Sequence, residues 1–228
     1  MLLNYFKVAY RNLIRNKVFS IVNISGLAFG MAACILISLY ILDELSYDTY
    51  HENTERIYRI SREFLNEDGV TNLHLGQIAP PFGPLIDGDF EGIVEYSVRM
   101  LPSGGSLISY EDIHLEQEGV FFAEPTLFDI FSFEVLKGDK STMLTEPNSV
   151  VISESFAEIY FKGVDPIGKT MRYDDMLDIK VTGVTRDVPR NSHFHFDCLI
   201  SFLTVENYFC RENIMSNWGS NNYDTYIY

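Results

Sequence analysis

From Phe19 to Leu42 the chain reads FSIVNISGLAFGMAACILISLYIL, 24 residues without a charge. A helix of that length is about 36 Å long, enough to cross a hydrocarbon core of about 30 Å with some tilt. The pattern therefore predicts a transmembrane helix over 19–42. Ahead of it, Leu3, Phe6, Tyr10 and Leu13 recur at spacings of three and four, while Asn4, Lys7, Arg11 and Arg15 keep the same spacing on another face. That periodicity predicts an amphipathic helix over 1–18 whose basic side suits an anionic membrane surface.

Beyond residue 42 the pattern becomes mixed. Ile57–Ile60 alternates as a strand, Glu67-Asp68-Gly69 signals a turn, and Pro84 is placed to open a short helix. Alternating stretches at 92–100 and 106–122 read as strands separated by a loop at Pro102-Ser103-Gly104-Gly105. Residues 126–131 read as a short apolar helix. Ser149–Ile152 reads as a strand leading to Ser153, which can cap a helix over 154–161 that stops at Gly163. Strands are expected at 179–184 and 194–202, and a helix near 204–213. Short helices and strands without regular β-α alternation indicate an α+β domain over 43–228.

Charge gives the arrangement a direction. Residues 1–42 hold four basic residues, Lys7, Arg11, Arg15 and Lys17, and no acid, whereas residues 43–228 carry 13 Lys+Arg against 32 Asp+Glu. The positive-inside rule places the N-terminus in the cytoplasm and the acidic body outside, which for a bacterial cell membrane means the periplasm. Such an acidic body does not suit a nucleic-acid partner. A cleaved signal peptide would have a shorter apolar core and a small-residue cleavage site. Met31-Ala32-Ala33-Cys34 resembles a lipobox, but eight further apolar residues follow Cys34 where a lipoprotein would turn polar.

Candidate chemistry is sparse. Gly26, Gly30, Cys34 and Ser38 form a small-residue stripe containing a GxxxG, which predicts close packing against another membrane helix. Residues 163–170 match the pattern GxxxxGK[ST], but a helix precedes them and a strand is expected to follow, the reverse of a phosphate-binding loop. His193, His195 and Asp197 would share one face of a strand as a weak metal-ligand row, without a fourth ligand. Cys198 and Cys210 share the outer compartment, where a disulfide is permitted, although buried free thiols are the favoured reading. No catalytic constellation and no cofactor is indicated.

RNLIRNKVFSIVNISGLAFGMAACILISLYILDELSYDTYHENTERIYRI, LFDIFSF followed by LKGD, NSVVISESFAEIYFKGVDPIGKT and VTGVTRDVPRNSHFHFD resemble segments of the MacB/FtsX-like ABC transporter permeases, in particular the antimicrobial-peptide exporters. Phe90–Glu95 departs from the Pro-Glu-Val-Glu that many relatives place there. The resemblance implies a periplasmic core domain after the first membrane helix and a non-catalytic permease that transmits motion. It implies as partners a cytoplasmic ABC ATPase subunit, a second copy or homologous permease, membrane lipid, and a periplasmic adaptor or peptide substrate. Relatives continue into further membrane helices, so a fragment or a truncated gene product is expected. The reading is the N-terminal portion of such a permease; the alternatives are a stand-alone anchored periplasmic binding or sensing module and a secreted metal-dependent enzyme.

Overall fold

Helix α1 (Leu2–Arg15) and helix α2 (Lys17–Glu44) meet at Asn16, whose φ of −110° and ψ of 56° leave the helical region. Asn favours such breaks because its side chain competes for backbone hydrogen bonds. The interruption is local, since Asn16 N–H still donates to Asn12 O and Ser20 N–H to Asn16 O. No residue of α2 is buried, and α2 is apolar all round rather than striped, as a lipid-facing helix is. Among the described residues, 2–228 of this computed structural model, it is the one helix long and apolar enough to cross a membrane. Met1 of the expected 1–18 segment, and the side chain of Leu3 in its apolar row, lie outside the described residues.

A second compact unit begins at Asp48 and runs to Tyr228. Its elements are a 3-10 turn (Thr54–Arg56), β1 (Tyr58–Arg59), β2 (Arg62–Leu65), β3 (Thr71–Leu75), α3 (Phe82–Asp89), β4 (Ser97–Tyr110), β5 (Ile113–Ala123) and α4 (Leu127–Ile130). There follow β6 (Val135–Lys137), β7 (Ser149–Ser153), α5 (Glu154–Phe161), β8 (Thr170–Tyr173), β9 (Leu177–Thr185), β10 (Cys198–Ser201), α6 (Phe202–Phe209), α7 (Arg211–Met215) and β11 (Asp224–Ile227). β2 and β3 form a separate hairpin. The other strands form one mixed sheet in the order β1-β11-β4-β5-β10-β7-β9-β6, and β8 pairs with both β4 and β9. The hydrogen-bonded path β4-β5-β10-β7-β9-β8 thus returns to β4 and closes on itself.

Alternation sorts the side chains into two cores. Val150 and Ile152 of β7, Cys198 and Ile200 of β10, and Val120 and Phe122 of β5 join one cluster with Phe156 and Tyr160 of α5 and Phe202 of α6. Val151, Leu199, Val98 and Met100 join the other with Leu127, Phe128 and Ile130 of α4. β7 and β10 are buried on both faces, so they are apolar or small at every position.

Helix α5 follows its sequence signals: Ser153 Oγ accepts from Phe156 N–H, Lys162 takes a left-handed conformation, and Gly163 has φ of 83°. Five expectations are corrected. Pro102–Gly105 is not a loop between strands but part of β4, where two register shifts against β5 absorb the Pro and Gly residues as bulges. Residues 92–96 are outside any strand, and the stretch 106–122 turns back on itself at Glu111, whose φ is 50°. The strand expected at 194–202 starts only at Cys198, because parallel pairing with β5 begins there. The helix expected near 204–213 is split at Cys210, which has φ of 64°.

Candidate functional site

Four residues after α2 ends at Glu44, the backbone turns at Asp48, which has φ of 58°. Asp48 N–H donates to Asn191 O at 2.8 Å. One carboxylate oxygen accepts from His193 N–H at 3.0 Å and from Ser192 Oγ at 3.3 Å; the other lies 2.8 Å from His193 Nδ1. His193 Nε2 is 2.7 Å from Tyr226 Oη on β11. Tyr50 Oη and Ser192 Oγ are 3.0 Å apart. The start of the second unit is thereby fastened to the β9–β10 connection and to the main sheet.

Burial works to raise the Asp48 carboxyl, but the hydrogen bonds from the His193 side chain, the His193 backbone and Ser192 outweigh it and hold the group below the usual carboxylate range. Behind the clasp, Tyr226, Phe131, Phe133, Phe194 and Phe196 stack edge-to-face at centroid distances of 5.1 to 5.8 Å. His51 is embedded in the same cluster and is 4% exposed. Its Nδ1 accepts from Ser132 N–H, its Nε2 has no partner, and burial lowers its pKa to about 4.

A second charged centre lies deeper. Arg99 of β4 is 2% exposed. Its guanidinium pairs with Glu124, lies 3.3 Å from Glu206 of α6, donates to Pro80 O at 3.1 Å, and sits 4.5 Å above the Phe202 ring. A Cβ at Gly83 would come within 2.9 Å of the Arg99 stem, so α3 can approach β4 only because Gly83 has no side chain. Buried charge is tolerated here because each donor direction finds a partner.

Compared with known families, residues 20–227 match the MacB-like periplasmic core domain. The chain belongs to that family. Among solved structures, a domain of a candidate permease from Porphyromonas gingivalis superposes with a TM-score of 0.65 at 26% identity, covering 78% of this chain and 74% of that one. The periplasmic region of MacB from Actinobacillus actinomycetemcomitans gives 0.52 at 14% identity over 77% of each chain. The extracellular domain of the noncanonic ABC-type transporter YknZ from Gram-positive bacteria gives 0.51 at 14%, covering 75% and 82%. At 14% identity the last two speak for the fold. Comparison with curated protein sequences returned no match. The α+β domain after an apolar helix is thus the MacB-like periplasmic domain of an ABC-type permease.

Within this MacB-like domain the residues singled out by sequence are scattered. The His193, His195 and Asp197 row does not form, because these residues precede β10. His193 turns to Asp48 and Tyr226, His195 Nε2 lies 3.0 Å from Pro189 O, and the Asp197 carboxyl, raised mainly by burial, lies against Gly119. Among the described residues no group of three or more His, Cys, Asp or Glu is placed to hold a metal ion. In the GxxxxGKT segment Gly168 N–H donates to Val181 O and Lys169 N–H to Pro166 O, so those amides serve the fold. Cys198 is a buried free thiol and Cys210 an exposed one. Gly26 and Gly30 have open space around them, and Cys34 and Ser38 are exposed on α2; Lys7, Arg11, Arg15 and Lys17 are exposed. The clasp at Asp48 was missed because it joins positions 145 and 33 residues apart. Its two parts, SYDTY and NSHFHFD, nevertheless fall inside segments that carried the family resemblance.

Proposed function

We propose that the chain couples ATPase cycles on the cytoplasmic side to movement of its periplasmic domain. The single observation that carries this reading is that the second unit is anchored at its first residue, Asp48, whose backbone N–H and both carboxylate oxygens are engaged. A displacement delivered to Asp48 meets a fastened side chain. In this reading the basic α1, with Lys7, Arg11, Arg15 and Lys17, lies at the cytoplasmic face against lipid and a separate ABC ATPase. The stripe of Gly26, Gly30, Cys34 and Ser38 packs against another membrane helix of the permease or of a second copy. The acidic outer domain favours cationic cargo such as export peptides, with or without a periplasmic adaptor.

The test is to insert six Gly/Ser residues between Tyr47 and Asp48 of the full-length permease, reconstituted with its ATPase. A spin label on the exposed Cys210, in a background lacking Cys34, reports motion of the outer domain. ATP-dependent spectral change is expected without the insertion and is expected to vanish with it while the ATPase still binds. Equal changes in both proteins would refute coupling through the junction, and absence of any ATP response would favour an anchored binding or sensing module.

A further inference from the structure

His193 touches both sides of the clasp, and the proton positions on its ring follow from its partners. A carboxylate only accepts, so Nδ1 carries the hydrogen that faces Asp48; a neutral ring then has its lone pair on Nε2, and Tyr226 donates its hydroxyl proton to it. The ring is held edge-on to Phe194 at 4.7 Å and tilted against Tyr226 at 5.4 Å, which limits its rotation. Tyr226 in turn is a paired residue of β11, opposite Val98 on β4 and opposite Arg59 on β1. The Asp48 N–H and its carboxylate bonds from the Ser192 hydroxyl and the His193 amide, by contrast, end on residues 191–193, in a connection without secondary structure.

We infer that His193 is a positioning residue that links Asp48 to Tyr226, so that displacement at the start of the outer unit is delivered to the β11–β4 sheet edge instead of being absorbed by the β9–β10 connection. This rests on the coupling reading above, and it names the side chains through which coupling runs. Two one-sided contacts would stabilise the fold equally well without transmitting anything. A relay requires in addition that loss of one arm weakens the other, and such linkage is reciprocal.

The experiment uses the whole 228-residue chain in lipid nanodiscs, with Asp48→Asn, Tyr226→Phe and the double variant. Tyr226→Phe keeps the ring in its aromatic cluster and removes only the hydroxyl. Nitrogen NMR of the imidazole is expected to show Nδ1 protonated and Nε2 accepting a hydrogen bond, the latter signature being lost in Tyr226→Phe. Amide exchange at Asp48 and His193 is expected to rise about tenfold in Tyr226→Phe, although the lost hydroxyl touches neither amide, the size of one hydrogen bond in local opening. The double variant is expected to fall well short of the product of the single effects. His193→Asn, which can reach Asp48 but not Tyr226, is expected to behave as Tyr226→Phe. Exchange of the Val151 and Leu199 core amides checks that each variant is folded. A multiplicative cycle, or unchanged exchange at Asp48 in Tyr226→Phe, would overturn the relay whatever the permease does with ATP. A non-multiplicative cycle with no ATP-dependent motion in the full permease would retain the relay and reject the coupling reading.

Discussion

Acid should destabilise this domain through His51. The neutral ring carries its hydrogen on Nε2, which is buried without a partner, while Nδ1 accepts from Ser132 N–H at 3.1 Å. Tyr50, Phe131 and Phe133 surround it at centroid distances of 3.9, 5.0 and 5.3 Å. Burial lowers its pKa from 6.5 to about 4; Asp48 opposes this shift and His193 adds to it. The unfolded chain therefore takes a proton between pH 6.5 and 4 that the folded chain refuses, so stability falls as pH falls through that window. Linkage over the two pKa values gives a loss of about 2 kcal/mol by pH 5 and about 3 kcal/mol below pH 4. Asp48, held low, contributes stability above the usual carboxylate range and loses it only in stronger acid, below the His51 window. Asp197, raised by burial, works in the opposite sense and is unaffected by replacing His51. Urea unfolding in detergent, followed through the single Trp218, which meets Phe82 edge-to-face at 5.3 Å, provides the assay. With a slope of roughly 2 kcal/mol per M, the midpoint should drop by about 1 M from pH 7.5 to 5. His51→Phe should cost about 1–2 kcal/mol at pH 7.5, by leaving Ser132 N–H without an acceptor, and should flatten the pH dependence. If His51→Phe keeps the wild-type pH slope, the buried-imidazole argument is wrong.

Replacing Arg99 by Met leaves Glu124 and Glu206 facing each other without the guanidinium, and the same urea assay should show a loss of about 3–5 kcal/mol. Gly138→Ala should lose about 2 kcal/mol or more in that assay, since φ is +97° and the new Cβ would sit 2.5 Å from Thr182 O, a backbone atom that cannot move aside. Maleimide should label Cys210 in the folded domain but Cys198 only after unfolding, as mass spectrometry of the digested protein can read. Cys198 is fully enclosed and its thiol is pushed up by burial.

What sequence could read was set by how local the cause is. The α5 unit was legible down to its cap because Ser153, the apolar face and the Lys162-Gly163 stop act within a dozen residues. α2 was legible because the absence of charge over 24 residues leaves few other structures. Pro102–Gly105 misled because those residue types signal a turn in isolation, whereas β5 pairs with β4 through them, and β11 before them and β8 after them hold the strand at either end. The His193 row failed for the same kind of reason: period-two geometry holds only where a strand exists, and the partner that makes one begins at Val120 opposite Cys198. Arg99 gave no local sign of its role, since its two acids come from 25 and 107 residues away.

On the proposed coupling reading the domain has to be stiff between the point where it is driven and the point where it acts, and the two charged centres address different parts of that requirement. The clasp fixes the first residue of the unit to β11, and β11 is paired along β4 from Ser97 to Met100. Arg99 lies within that same stretch, with its flanking residues Val98 and Met100 in one core and its own side chain turned to the opposite face, where it ties in Glu124, Glu206 and the loop at Pro80. From there β4 continues into the closed strand circuit through β5 and β8. Asp48, His193, Tyr226 and Arg99 thus lie along one bonded path from the start of the unit into its closed sheet. Softening any one of them should decouple more than its share of stability would suggest, because elements in series transmit no more than the weakest of them.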